Sequence, residues 1–144
     1  MPTEVLYSTQ ARATGGRDGT AGTLDGAFKV TLSTPTELGG DGKDGNNPEQ
    51  LFASGYAACF LGAMKFVAGN VDGFKMKVPD DTSVTSTVGI GPRSEGGFGL
   101  DVKLEISLPG IDRDQAEKLV AEAHQVCPYS NATRGALDIS PVVV

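Results

Sequence analysis

One apolar stretch decides the fold: 47-NPEQLFASGYAACFLGAMKFVA-68. Its first residues are typical of a helix start, because Asn47 can cap the backbone, Pro48 suits the first turn and Glu49 suits the positive end of the dipole. Large apolar side chains follow on every side of the predicted helix: Leu51, Phe52, Tyr56, Phe60, Leu61 and Met64. Such a helix is buried on most sides. One thin sheet cannot cover it, so we expect either a second sheet or a second subunit to do so.

The sequence on either side predicts two antiparallel strand systems. Residues 4–33 predict a small meander with turns at Asp18-Gly19 and Asp25-Gly26. Its alternating residues are Val5, Tyr7 and Thr9 in the first strand and Phe28, Val30 and Leu32 in the last. Residues 82–108 predict a pair of strands joined by the turn GPRSEGG.

The remaining segments complete a predicted α+β domain that spans residues 1–144. The polar, glycine-rich residues 34–47 are interpreted as a flexible connection, because they fit neither a calcium loop nor a phosphate loop. A second helix is predicted from its cap at Asp112 to a limit at Pro128. The last residues, LDISPVVV, predict a short final strand.

Composition excludes several classes of function. The chain has 144 residues, and 12 Lys and Arg against 18 Asp and Glu give a net charge of −6. An acidic surface repels phosphate backbones and anionic lipids, so we expect no nucleic-acid and no membrane partner. The N-terminus lacks the pattern of a signal peptide, and the apolar run from Leu51 to Met64 is shorter than the ~20 residues of a bilayer span. These features predict a soluble, cytoplasmic protein.

The two cysteines, Cys59 and Cys127, have three interpretations. They are buried small hydrophobes, or a structural disulfide, or a redox pair in which one thiolate attacks and the other resolves. The redox pair is favoured because Cys127 falls on the apolar face of its helix with Val120 and Ala123. The sequence CPYS also predicts a frayed last turn in which the Cys127 thiol can move.

A reactive thiol must be ionised near neutral pH, which requires a nearby positive charge. Arg17 is the candidate, because it lies in the glycine-rich turn TGGRDGTAG. The alternative is a solvated charge at the tip of a hairpin. The residues alone leave both interpretations open.

Three motifs carry a resemblance that spans essentially the whole chain: ATGGRDG, NPEQLFASGYAACF and QVCPYSNATRG. In this order they resemble the organic hydroperoxide resistance (Ohr) branch of the OsmC/Ohr family. The resemblance implies an α+β fold built as an intertwined homodimer of antiparallel β-sheets wrapped around a buried central helix. It also implies a thiol peroxidase that prefers organic hydroperoxides and is reduced by a lipoyl dithiol, either dihydrolipoamide or a lipoylated protein.

The resemblance also implies a role for particular residues. Cys59 is the expected peroxidatic cysteine, Cys127 the resolving cysteine, Arg17 the activating arginine and Glu49 the carboxylate that orients it. The side chains expected to contact substrate are Tyr56, Phe60 and Tyr129. No bound cofactor or metal is expected, because no His, Cys or Asp cluster has ligand spacing. The lone histidine, His124, is interpreted as a partly exposed capping residue.

Helix geometry constrains how this site is assembled. Glu49 and Cys59 are ten residues apart, which in one helix is about 15 Å along the axis and nearly a right angle around it. Either the helix breaks near Gly55, or the site is built from two chains. A break would expose backbone groups in a buried segment, so we predict an obligate homodimer in which Arg17 and Glu49 of one chain complete the site around Cys59 of the other.

Two other functions stay open at this point. One is a peroxidase of the sister OsmC branch, with the same chemistry and different partners. The other is a non-catalytic protein that binds a small apolar ligand and uses the cysteines only as lining. Dithiol-dependent consumption of an organic hydroperoxide distinguishes a peroxidase from a binding protein.

Overall fold

The computed structural model describes residues 1–144 and has an α+β architecture, as predicted. The chain divides into two compact units, Met1–Leu51 and Phe52–Val144. That they act as one domain stays a prediction. The elements in chain order are β1 (Ala11–Thr14), β2 (Thr20–Thr23), β3 (Lys29–Thr31), α1 (Pro48–Asn70), β4 (Ser83–Pro92), β5 (Phe98–Ser107), α2 (Arg113–Val126), α3 (Pro128–Thr133) and β6 (Val142–Val143).

The first unit contains the predicted meander, with antiparallel strands in the order β1-β2-β3. The strand predicted for Val5 to Thr9 is wrong, because β1 begins only at Ala11. The four residues of β2 pair with the four of β1, and the pairing ends at Gln10, whose carbonyl oxygen accepts from Leu24 N at 3.0 Å. Val5 and Tyr7 are consequently exposed.

Residues 34–47 lead the chain from β3 to the start of α1. Their end is attached to β3 by backbone hydrogen bonds from Asn46 N to Thr31 O and from Ser33 N to Asn46 O, both 2.9 Å. The predicted cap of α1 is confirmed, because Asn47 Oδ1 accepts from Gln50 N at 2.9 Å. Gln50 Oε1 in turn accepts from Asn47 N at 3.1 Å. This reciprocal pair is a capping box, which fixes where α1 begins.

Helix α1 is continuous over 23 residues, so the predicted alternative of a break near Gly55 is wrong. Its buried residues form one face: Tyr56, Phe60, Ala63, Met64, Val67 and Ala68. Ser54, Ala58, Gly62 and Phe66 lie on the other side and are exposed. Within one chain only one face of the helix is buried, and the predicted covering of the other side by a second subunit stays a prediction.

The length of α1 also corrects the prediction that its apolar run is too short for a bilayer. The helix continues past Lys65, and by length and mean hydropathy alone it could span a membrane. However, Met64 and Val67 on its buried face are fully enclosed in the core of the second unit. A soluble, cytoplasmic protein stays a prediction.

The second unit contains a sheet of order β4-β5-β6. The predicted strand pair is confirmed, with Val84 opposite Ile106 and Val88 opposite Val102. The predicted final strand is also confirmed, and β6 pairs with β5 in parallel. One face of β5 forms the core through residues that share a parity: Val102, Leu104 and Ile106.

Helix α2 begins as predicted, because Asp112 accepts a hydrogen bond from Gln115 N. Its end differs from the prediction of a frayed turn. Cys127 N donates to Ala123 O and Cys127 O accepts from Asn131 N, both at 2.9 Å, so this residue joins α2 directly to α3. Pro128 causes the change of direction, because it cannot donate to continue α2 but suits the first position of a new helix.

A substitution in the turn between β1 and β2 tests the fold of the first unit. A Cβ at Gly19 would lie 1.7 Å from Thr14 O. We expect Gly19→Ala to lower the free energy of unfolding by about 2 kcal/mol or more, because backbone atoms must move. Gly91→Ala is the control, since nothing lies within 4 Å of its added Cβ. Denaturant unfolding measures both, and equal stabilities would contradict the close approach.

Candidate active site

Arg17 and Glu49 form a bidentate ion pair within the first unit. Arg17 Nη1 donates to Glu49 Oε2 at 2.9 Å, and Nη2 donates to Oε1 at 2.6 Å. Two parallel hydrogen bonds between a guanidinium and a carboxylate fix the plane and the direction of the arginine. The first unit therefore brings these two predicted residues together.

A short 3₁₀ turn, Gly16–Asp18, holds Arg17 in place. Gly15 before it has a φ of 76°, a left-handed conformation that favours glycine. Two further bonds attach the turn to the chain after β3: Asp18 Oδ1 accepts from Thr34 N at 3.1 Å, and Gly19 O accepts from Leu32 N at 2.8 Å. The interpretation of Arg17 as a solvated hairpin charge is therefore wrong, because its charge is paired.

The ion pair shifts both pKa values toward the charged forms. The hydrogen bonds from Arg17 hold the pKa of Glu49 below its ordinary value, and Glu49 raises the pKa of Arg17. The pair thus adds stability above the ordinary carboxyl pKa and loses it as the pH falls through the lowered value. The side chains are 35% and 13% exposed, so water screens the pair and its contribution to stability is modest.

Cys59 and Cys127 lie together in the second unit, although 68 residues separate them along the chain. The Sγ–Sγ distance is 3.7 Å, and both thiols are free. A disulfide bond needs about 2.05 Å. Cys127 is fully buried, whereas Cys59 is partly exposed. The arrangement therefore gives one thiol access to solvent and places a second thiol within a short movement of it.

Burial raises the pKa of the Cys59 thiol. The backbone of Tyr129 opposes this shift, while Cys127 adds to it. A raised pKa keeps the thiol protonated at neutral pH, and a protonated thiol is a poor nucleophile. Reactivity of Cys59 therefore requires a positive group that stabilises its thiolate.

A chain of buried polar groups lies beside the two sulfurs. Tyr56 OH contacts Ser130 Oγ at 2.9 Å, and Ser130 Oγ contacts His124 Nδ1 at 2.9 Å. Tyr56 and Ser130 are fully buried. His124 is in the last turn of α2, but its ring bonds the Ser130 hydroxyl, so the interpretation as a helix cap is wrong. Burial lowers the pKa of His124, which favours the neutral ring.

Three aromatic rings, two from α1 and one from α3, pack together in the second unit. The ring centroids of Phe52, Tyr56 and Tyr129 are 5.7 to 6.3 Å apart. Tyr129 lies against Gly55, where an added Cβ would be 3.1 Å from its hydroxyl oxygen. Tyr129 is 40% exposed, so its ring can meet a small molecule.

The other two aromatic residues predicted to contact substrate are enclosed. Phe60 is fully buried in the core, with its ring centroid 6.4 Å from that of His124. Tyr56 is fully buried, and its hydroxyl is hydrogen-bonded to Ser130. Substrate contact at all three positions stays a prediction, and Tyr129 is the one with an exposed surface. No group of three or more His, Cys, Asp or Glu side chains is arranged around a common point.

Sequence reasoning did not find the role of Ser130 and set His124 aside. Helical spacing gave no signal for this contact, because His124 lies in α2 and Ser130 in α3, and the chain changes direction between them. The partner Tyr56 is 74 residues away from Ser130, so no local pattern indicates it.

Similarity to known proteins identifies the family of this chain. The family model for OsmC-like proteins matches residues 40–141. An organic hydroperoxide resistance protein of Xanthomonas axonopodis pv. citri (strain 306) is 57% identical over 139 residues, which are 96% of this chain and 95% of that protein.

Two solved structures are also similar. An organic hydroperoxide resistance protein of Legionella pneumophila aligns with a TM-score of 0.88 and 48% identity, over 97% of this chain and 98% of the other. A protein of the same description from Vibrio cholerae O1 biovar eltor, with captopril bound in one of its active sites, aligns with a TM-score of 0.90 and 45% identity. The alignment covers 99% of this chain and 95% of the other. The chain therefore belongs to the OsmC family, in the branch of the organic hydroperoxide resistance proteins.

Proposed function

We propose that this protein is a cysteine-based peroxidase that reduces organic hydroperoxides to alcohols. The observation that carries the proposal is the pair of free thiols, Cys59 and Cys127, with sulfurs 3.7 Å apart in the second unit. Membership of the organic hydroperoxide resistance branch supplies the class of substrate. A binding protein would need neither two thiols at this distance nor one buried behind the other.

In the first step the Cys59 thiolate attacks the peroxide oxygen farther from carbon. The O–O bond breaks, the alcohol leaves with one proton, and Cys59 becomes a sulfenic acid. The raised pKa of Cys59 makes a cation necessary. We assign this task to Arg17, whose fork can stabilise the thiolate and donate to the peroxide oxygens as charge develops. The pairing with Glu49 fixes the direction of the guanidinium.

In the second step Cys127 attacks the sulfenic sulfur of Cys59. A disulfide forms, and the sulfenic oxygen leaves as water. A dithiol then reduces the disulfide by two thiol–disulfide exchanges and is itself oxidised to a cyclic disulfide. A lipoyl dithiol, free as dihydrolipoamide or attached to a protein, is the proposed reductant.

The substrate class follows from the apolar surroundings of Cys59. An apolar wall gains about 0.8 kcal/mol for each methylene that it removes from water. Hydrogen peroxide has no methylene and gains nothing from such a wall. The half-buried Phe52, seven residues before the thiol on α1, and the partly exposed Tyr129 of α3 provide this surface. We therefore expect alkyl and fatty-acid hydroperoxides to be preferred.

We further propose that the active form is a homodimer in which each site combines two chains. Because α1 is continuous, Glu49 and Cys59 are about 15 Å apart along its axis. The exposed side of α1, with Ala58, Gly62 and Phe66, provides a surface that a second copy can cover. The related Vibrio cholerae protein has more than one active site, which is consistent with a repeated assembly.

The first prediction separates the two cysteines and tests the function. Cys59→Ser should abolish reduction of cumene hydroperoxide with dihydrolipoamide, because the attacking sulfur is lost. Cys127→Ser should complete one oxidation and then fail to turn over. Turnover assays and mass spectrometry after one equivalent of peroxide measure both. No dithiol-dependent loss of peroxide by the unsubstituted protein would exclude a peroxidase, and an oxidised Cys127 in an active Cys59→Ser protein would reverse the roles.

The second prediction concerns activation of the thiol. Arg17→Ala should raise the pKa of Cys59, because the thiolate loses the cation that stabilises it and burial then acts unopposed. Arg17→Lys should raise the pKa of Cys59 nearly as much, because an ammonium cannot form the planar fork with Glu49. The rate of alkylation against pH measures this pKa. Lys29→Ala, a change at an exposed cation of β3, is the matched control. Identical profiles for Arg17→Ala and this control would remove Arg17 from the site.

The third prediction tests the two-chain site. Cys59→Ser and Arg17→Ala proteins should each be inactive, but refolded together they should regain activity. In each mixed dimer, one of the two sites then receives both natural groups. Native mass spectrometry shows whether mixed dimers form. Mixed dimers that form but stay inactive would mean that each site belongs to one chain.

A further inference from the structure

The helices that carry the two sulfurs are joined by a second link. Tyr56 precedes Cys59 by three residues on α1, and Ser130 follows Cys127 by three residues on α3. The Tyr56 hydroxyl lies 2.9 Å from Ser130 Oγ. Residues three apart lie on neighbouring positions of a helix surface. The hydrogen bond and the pair of sulfurs, 3.7 Å apart, thus link the same two segments of the chain at positions three residues apart.

A third residue connects this link to α2. His124 precedes Cys127 by three residues, and its Nδ1 lies 2.9 Å from the same Ser130 Oγ. The hydrogen bonds run in one direction when His124 is neutral and carries its proton on Nε2, because Nδ1 is then an acceptor. Tyr56 then donates to Ser130, and Ser130 donates to Nδ1. Cys127 thus lies between two residues that are bonded to each other, one on each of the helices it joins.

The proposed chemistry of the two sulfurs does not itself use these three hydrogen-bonded side chains. Buried polar groups cost free energy unless they are paired, and Ser130 and Tyr56 are fully buried. Another serine of the second unit has no such partner: Ser86 Oγ is buried and makes no hydrogen bond. Buried hydroxyls in this unit are thus not always hydrogen-bonded. The hydrogen bonds among Tyr56, Ser130 and His124 are therefore a specific arrangement.

We propose that Tyr56, Ser130 and His124 are positioning residues that hold Cys127 within reach of Cys59 and thereby set the rate of disulfide closure. The inference rests on the proposed peroxidase function. For the disulfide to form, the sulfurs must approach from 3.7 Å to about 2.05 Å. A fixed spacing between α1 and α3 keeps this approach short, whereas loss of the link lets α3 move away.

The rate of closure matters because the sulfenic acid has two fates. Attack by the Cys127 thiol gives the disulfide and water. Attack on a second hydroperoxide molecule breaks another O–O bond and gives the sulfinic acid and an alcohol. Both products come from the same sulfenic acid, so their ratio does not depend on the rate of the first oxidation. At a given peroxide concentration the ratio therefore compares the rate of closure with the rate of this second oxidation.

The experiment treats the reduced full-length protein with increasing excess of cumene hydroperoxide and no reductant. Mass spectrometry gives the peroxide concentration at which half of Cys59 is sulfinic acid. We expect Ser130→Ala and Tyr56→Phe each to lower this concentration about fivefold, the factor that one buried hydrogen bond typically contributes. Ser86→Ala is the control, because it removes a buried hydroxyl that is not hydrogen-bonded to Tyr56, Ser130 or His124. Its half-oxidation concentration should match that of the unsubstituted protein.

A second pair of variants distinguishes positioning from general loss of stability. His124→Asn keeps an acceptor close to the position of Nδ1 and should preserve the ratio, while His124→Leu should behave like Ser130→Ala. Ratios for Ser130→Ala and His124→Leu that equal the Ser86→Ala value would overturn the inference. If the unsubstituted protein forms neither disulfide nor sulfinic acid at Cys59, the proposed function fails instead.

Discussion

Burial of the Cys59 thiol in an apolar helix is the constraint on which the site depends. Burial raises the pKa of the thiol, so the residue that the proposed reaction uses as a thiolate lies where a negative charge is disfavoured. The apolar surroundings cannot simply be replaced by polar ones, because they also gain free energy from an alkyl substrate. A cation has to reach the thiol without solvating it. A guanidinium held at fixed orientation meets this need, and in the first unit Glu49 holds Arg17 in that way.

Local signals were sufficient to predict most of the fold. Asn47 and Gln50 cap α1 through contacts three residues apart, and Asp112 caps α2 in the same manner. The β4–β5 pair follows from alternation on both sides of one turn. In these cases the interacting residues are close in sequence, so a pattern within one window contains the information.

The parts that the sequence did not predict depend on partners far along the chain. The expected strand from Val5 has alternation, but the pairing with β2 ends at Gln10, and a strand is not stable without a neighbour. The expected frayed end at Cys127 ignored the ability of Pro128 to begin α3. The link between Tyr56 and Ser130 spans 74 residues, and only the folded second unit brings the two hydroxyls together.

The α2–α3 junction is compatible with the resolving step proposed for the fully buried thiol of Cys127. A frayed turn would have given Cys127 mobility, but it would also have let the thiol leave the neighbourhood of Cys59. In the structure the backbone of Cys127 is hydrogen-bonded to both Ala123 and Asn131, so its Cα is held from both sides. Movement of the sulfur is then limited to rotation about the Cα–Cβ bond between staggered positions. Such a rotation changes the Sγ–Sγ distance without unfolding either helix. Proximity, rather than flexibility, is therefore the property that this part of the fold provides.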